Sequence, residues 1–208
     1  MPTLDTLLPF MGIAILLSLA PGPDNIFVLL QSAMYGTRAG LTVVLGLCTG
    51  LLVHTAVVAV GLAALLAASA VAFTALKIAG AVYLVYLAWQ AFRAPVGEIG
   101  GDDAAAKPVK NMYLRGVVMN LTNPKVVIFF LAFLPQFVVA KQGHVALQIM
   151  VLGFAFIVAT LLVFGSVAWF SGLFGRVLMR SARVQRAVNW FAGTVFLALA
   201  GKLALSQR

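Results

Sequence analysis

Residues 14–30 read AILLSLAPGPDNIFVLL, an apolar run that is interrupted at its centre by a Pro-Gly-Pro triplet and an Asp-Asn pair. Proline ends or kinks a helix because it lacks the backbone N–H and its ring clashes with the preceding turn. An aspartate inside such a run is costly in a membrane unless it is paired, protonated or facing water. The stretch therefore predicts a membrane helix that is broken at Pro21, Gly22 and Pro23, with Asp24 in a functional position beside the break.

The composition of the whole chain agrees with a membrane location. Hydrophobic residues make up 63% of the 208 positions and charged residues 9%, whereas about a quarter of the residues in a soluble domain are charged. Apolar runs fall at about 5–34, 39–67, 70–93, 113–140, 145–173 and 184–205. Each run reaches the roughly 20 residues that cross the hydrocarbon core. The sequence therefore predicts an all-α integral membrane protein with six transmembrane helices in a single domain.

The basic residues, 14 against 5 acidic ones, alternate between the loops. The loops on one side contain Arg38; Arg93, Lys107, Lys110 and Arg115; and Arg176, Arg180, Arg183 and Arg186. The loops on the other side contain only Lys141. Because cytoplasmic loops carry the excess of Lys and Arg, both termini are predicted to lie outside. The basic excess is then a topology signal that also suits anionic lipid headgroups, and no nucleic-acid partner is expected.

The two halves of the chain show signs of an internal repeat. The fourth apolar run is interrupted by Asn123-Pro124, and residues 79–85 (AGAVYLV) resemble residues 192–198 (AGTVFLA). A repeat of three helices inserts its second copy upside down, which is the architecture of many secondary transporters with sites at broken helices. We therefore expect inverted three-helix repeats at about 1–96 and 111–208, joined by a cytoplasmic linker at about 97–110, with helices 1 and 4 broken at PGPD and NPK.

The second break has the residues of a helix that starts inside the membrane. Asn123 is a favoured N-cap and Pro124 a favoured first helical residue, while Lys125 adds a charge at a depth from which snorkelling is difficult. Asp24 is the obvious candidate partner of this lysine, although its carboxylate can also cap its own half-helix. Opposed charges and amides complement a free amino acid, and a buried carboxylate suits coupling to protons. The predicted substrate and proton site comprises Asp24, Asn25, Asn120, Asn123 and Lys125 beside the breaks at Pro21, Gly22, Pro23 and Pro124.

These motifs resemble those of one known family. The PGPDN stretch (residues 21–25), glycines at positions 36, 40, 46 and 50, and NPK followed by FFLAFLPQF (residues 123–137) are similar to the lysine-exporter (LysE/RhtB) family over the whole chain. The resemblance implies a multi-pass protein of the bacterial inner membrane that exports amino acids such as threonine, homoserine, leucine, lysine or arginine, driven by the proton motive force. It marks residues 21–24 and 123–125 as functional. The few charges in the spans slightly favour a neutral substrate over lysine.

Other classes of function fit the sequence less well. The alternative is a small ion or metal exporter or channel on a related scaffold, but metal passage needs clustered His, Cys, Asp or Glu ligands, and the spans offer few besides Asp24 and His54. His54 is expected to make an interhelical hydrogen bond instead. No enzyme activity and no cofactor are expected, since the chain contains neither HExxH nor GxSxG. The four glycines favour close helix packing, either inside one subunit or between two copies in a homodimer.

Overall fold

The structure is a computed structural model that describes residues 2–68, 70–96, 111–139, 143–171 and 181–205. These ranges are helical apart from short connections, and they contain no strand. The predicted linker at about 97–110 and five of the basic loop residues lie outside the described residues. Those five are Lys107, Lys110, Lys141, Arg176 and Arg180.

The helices follow the apolar runs closely. Their bounds are α1, Leu4–Leu19; α2, Pro23–Tyr35; α3, Thr37–Ala68; α4, Ala70–Arg93; α5, Met112–Thr122; α6, Pro124–Ile128; α7, Val145–Trp169; and α8, Ala182–Leu205. A π-helical turn at Phe129–Phe133 and a 3-10 turn at Leu134–Phe137 continue α6. By length and composition, α3, α4, α7 and α8 can each cross a membrane, which makes four spans, or up to six if each of two bent helix pairs is one span. The chain is an all-α membrane protein.

The two bent pairs are α1 with α2, at an angle of 63°, and α5 with the helical segment that runs from Pro124 to Phe137, at 50°. In both pairs the second helix begins with a proline, Pro23 in α2 and Pro124 in α6. Proline disfavours helical geometry in the residue before it, and Gly22 and Asn123 are accordingly extended. The chain therefore changes direction just before each proline, and the next residue, Asp24 or Lys125, carries a charge.

Glycines allow α3 to pack closely against its neighbours inside the chain. A Cβ atom at Gly50 would lie 2.6 Å from the Asn120 side chain of α5, and one at Gly46 would meet the backbone of α5. Gly40 faces Ser32 of α2 in the same way. Gly36 has no neighbour within 4 Å and instead turns the chain between α2 and α3 with a φ of 86°. Three of the four glycines thus serve packing within one subunit.

An aromatic cluster packs next to the second break. The π turn brings Phe129 and Phe130 against Phe156 of α7, with ring centroids 4.9 and 5.5 Å apart. Phe10 of α1 lies 5.8 Å from Phe129. Because these side chains are almost completely buried, they exclude water from this contact and hold α1, the π turn and α7 together.

Candidate functional site

Asn123 connects the two helix breaks. Its side-chain Nδ2 donates a hydrogen bond of 2.6 Å to Oδ2 of Asp24, across 99 residues of sequence. Its Oδ1 accepts a bond of 3.0 Å from the backbone N–H of Lys125, which is the N-cap contact predicted for Asn123. Asp24 is 3% exposed and Asn123 4%. One buried amide therefore holds the carboxylate of α2 and the start of α6 in a fixed relation.

Lys125 places its ammonium group at the end of α1. Nζ donates to the carbonyl oxygens of Leu17, at 3.4 Å, and Ala20, at 3.2 Å. The last carbonyls of a helix have no partner within it and form the negative end of its dipole, so a cation is favourable there. Lys125 interacts electrostatically with Asp24 but bonds to these carbonyls rather than to the carboxylate. The direct partner of the buried lysine is thus the broken end of α1.

The remaining predicted site residues surround this junction. Asn25 donates from Nδ2 to the carbonyl oxygen of Ser18 at 2.8 Å, so its amide also closes the break in α1. Asn120 is buried on α5, and its backbone oxygen lies 3.4 Å from Nε2 of His54 on α3. The interhelical contact predicted for His54 is confirmed. Asn25 is absent from the described walls of both cavities discussed next.

A cavity of about 730 Å³ opens at the two breaks. Its wall includes six of the predicted residues, namely Pro21, Gly22, Pro23, Asn123, Pro124 and Lys125. A second wall comes from the C-terminal half of α4 and from α8. Its functional groups are those of Tyr83, Trp89, Gln90, Arg93 and Asn189. The size is that of a small-molecule site. This second wall is not among the sequence predictions, although Gln90 and Asn189 are amides in helices that are apolar enough to cross a membrane.

A second cavity, of about 20 Å³, also has Lys125 in its wall. Its polar lining consists of Ser18, Asp24, Asn120, Lys125 and Thr160. Ser18 and Thr160 are not among the predicted site residues, because hydroxyl groups in a helix commonly bond to their own backbone. Lys125 lines both cavities, whereas Asp24 lines only the smaller one. Among the described residues, no group of three or more His, Cys, Asp or Glu side chains could hold a metal ion.

The chain matches known proteins over most of its length. A family model described as LysE type translocator matches residues 15–207. A homoserine/homoserine lactone efflux protein of Salmonella typhi is 35% identical, over 93% of this chain and 92% of its own. A leucine efflux protein of Klebsiella pneumoniae is 30% identical, over 93% and 92% of the two chains, and a membrane protein of Vibrio cholerae is 34% identical over 96% and 97%. No solved structure matches the chain.

Proposed function

The chain belongs to the LysE type translocator family, and from this membership we propose that it exports a neutral amino acid across the bacterial inner membrane by proton antiport and alternating access. Two similar proteins are named for the efflux of homoserine or its lactone and of leucine. The observation that carries the proposal is the junction of the two breaks. There Asn123 donates a hydrogen bond to Asp24, and both Asn123 and Lys125 line the large cavity.

The junction offers what the two charged groups of an amino acid require. Lys125 lines the large cavity and attracts the α-carboxylate of a substrate there. Asp24 does not line this cavity, but its carboxylate accepts a hydrogen bond from Asn123, which does. The negative charge of Asp24 balances the α-ammonium group of the substrate. Both charges are nearly buried, so their interaction with a bound zwitterion is screened less by water than it would be at a surface. Protonation of Asp24 is the step that we assign to proton coupling.

The charges on the cavity wall favour a substrate with a neutral side chain. Among the described lining residues there are two cations, Arg93 and Lys125, and no carboxylate. The ammonium of lysine or the guanidinium of arginine would enter this space without a counter-charge, which is costly away from water. Homoserine and leucine carry no such charge. The metal-exporter alternative has less support, because the described residues provide no cluster of metal ligands.

Helix packing supports two inverted repeats. Helix α1 packs against α7, and its counterpart α5 packs against α3, while α3–α7 and α4–α8 pair across the two halves. Asp24 and Lys125 both follow the first proline of their helix, so opposite charges occupy equivalent positions. With both termini outside, the end of α4, whose Arg93 lines the large cavity, lies on the cytoplasmic side.

Dipeptide-fed cells test the proposal, because intracellular hydrolysis raises the concentration of one chosen amino acid. Cells that produce the protein should release homoserine and leucine faster than cells without it, and should not release lysine faster. Asp24→Asn should abolish the difference while the protein remains in the membrane. Asp5→Asn is the matched control, since Asp5 lies in the exposed first turn of α1. Export by Asp24→Asn at the wild-type rate would remove Asp24 from the mechanism, and selective release of lysine would refute a neutral substrate.

A further inference from the structure

The smaller cavity is built by side chains from four different helices. Ser18 comes from α1, Asp24 from α2, Asn120 from α5 and Thr160 from α7. Each of the four is 3% exposed, and each presents an oxygen atom that has no hydrogen-bond partner among the described residues. Buried polar atoms are almost always hydrogen-bonded in native proteins. Four such oxygens around one cavity therefore indicate a ligand that all of them share.

The size and chemistry of the cavity fit a single water molecule. A volume of about 20 Å³ exceeds the roughly 10–15 Å³ that one water needs. Oδ1 of Asp24 and Oδ1 of Asn120 can only accept hydrogen bonds, whereas the hydroxyl groups of Ser18 and Thr160 can donate them. A water molecule has two hydrogens to donate and two lone pairs with which to accept. The four orphaned oxygens therefore complement one water completely.

We propose that the smaller cavity is a water site, in which one molecule donates to Asp24 and Asn120 and accepts from Ser18 and Thr160, and that this water delivers the coupling proton to Asp24. The second half of the proposal rests on the proposed function. The transfer is a relay without a resident hydronium: the O–H bond of the water toward Asp24 breaks as an O–H bond forms on Oδ1, and the water takes the proton of the Thr160 hydroxyl. A hydronium that arrives from the aqueous side gives that hydroxyl a new proton and leaves as water. Release of the proton is the reverse step.

The charged groups around the cavity favour water over a metal cation. The ammonium of Lys125, on α6, lines the same cavity and repels a resident cation. Among the described residues, two further titratable side chains lie in the middle of α3: His54, which contacts the backbone of Asn120, and buried Cys48, next to the lining residue Leu47.

Asp24 lines the smaller cavity and is absent from the described wall of the large one. One oxygen of the Asp24 carboxylate, Oδ2, thus bonds to Asn123, which lines the large cavity. The other oxygen, Oδ1, bonds to the proposed water.

Substitutions of Thr160 test the site without touching the charged residues. Thr160→Val keeps the shape and removes the hydroxyl, and Thr160→Ser restores the hydroxyl. Thr55→Val is the matched control, because Thr55 is a buried threonine whose hydroxyl already donates to the Leu51 carbonyl at 2.7 Å. In proteoliposomes, Thr160→Val should slow net leucine transport driven by a pH gradient at least about fivefold, since it removes a buried hydrogen-bond partner. Exchange of leucine for leucine at equal pH should stay within twofold of wild type, because it needs no net proton transfer.

The two assays and an experimental map separate the outcomes. Thr160→Ser and Thr55→Val should transport and exchange leucine as the wild type does. Equal net transport by Thr160→Val and Thr160→Ser, or equal loss of net transport and exchange in Thr160→Val, would overturn the proton-delivery role.

A density map that resolves waters should show a peak within about 3.2 Å of all four oxygens; its absence would overturn the water site. A requirement for sodium in place of choline would overturn it in favour of a cation. Wild-type vesicles that exchange none of the proposed amino acids would instead refute the proposed function, and the map would still decide the water site.

Discussion

The hydrogen bond between Asn123 and Asp24 should give a measurable coupling free energy. Asn123→Ala removes an N-cap contact, worth about 1 kcal/mol, and the bond to a buried carboxylate, worth about 1.5–3 kcal/mol. We therefore expect Asn123→Ala to lower the free energy of unfolding by about 2.5–4 kcal/mol in the wild-type background. In an Asp24→Ala background only the cap is lost, so the same substitution should cost about 1 kcal/mol. The expected coupling is the difference, about 1.5–3 kcal/mol.

Unfolding of the purified protein in mixed micelles, followed by circular dichroism as denaturant is added, gives the four free energies of this cycle. Asn189→Ala provides the control, because Asn189 is a partly buried asparagine whose amide contacts the Ala94 carbonyl at the long distance of 3.5 Å. Its cost should add to that of Asp24→Ala within about 0.5 kcal/mol, as for independent sites. A coupling between Asp24 and Asn123 that is equally close to zero would refute the conclusion that this bond joins the two breaks.

Three further predictions concern packing, the site and topology. Gly46→Ala should lower the free energy of unfolding by about 1–3 kcal/mol, because the new methyl group meets the backbone of α5. Gly12→Ala is the control and should leave it unchanged, since nothing lies within 4 Å of the new methyl group. Equal midpoints of unfolding for the two variants would contradict the close packing. Gly22→Ala places a methyl group 3.2 Å from the ammonium at the end of α1 and should reduce amino-acid release several-fold at normal abundance in the membrane, whereas unchanged release would show that the ammonium need not hold its position. In a background without other cysteines, Thr3→Cys should react with an impermeant thiol reagent in intact cells, and Pro95→Cys only after permeabilisation; the reverse pattern would invert the proposed topology.

The limits of the helices could be predicted because each depends on local sequence. A run of about 20 apolar residues is its own signal, and the prolines at positions 23 and 124 define where α2 and α6 begin. The same holds for the N-cap at Asn123, since capping involves residues only two positions apart. For the prolines and the cap, the deciding contact lies within one turn of helix.

The partners of the buried polar groups could not be predicted, because they depend on how distant helices pack. The sequence offered Asp24 as a partner for Lys125, but the carbonyls at the end of α1 lie closer to the ammonium. The hydroxyls of Thr55 and Thr160 are alike in sequence, and only the structure distinguishes the one that bonds to its own helix from the one that faces a cavity. Packing of α4 against α8 likewise brings amides to the cavity wall from two distant segments.

The contact between Lys125 and the end of α1 also bears on how the protein is made. The hydrogen-bond donor of the Leu17 carbonyl is Lys125, which lies 108 residues later in the chain. An unsatisfied backbone group in hydrocarbon costs several kcal/mol. When the first half of the polypeptide leaves the ribosome, the Leu17 carbonyl therefore lacks the hydrogen bond that Lys125 of the second half later donates. Neither half is therefore expected to fold fully alone, although each would contain the helices of one proposed repeat. Quality-control proteases should accordingly degrade the N-terminal half when it is produced alone, and co-production of the C-terminal half should protect it.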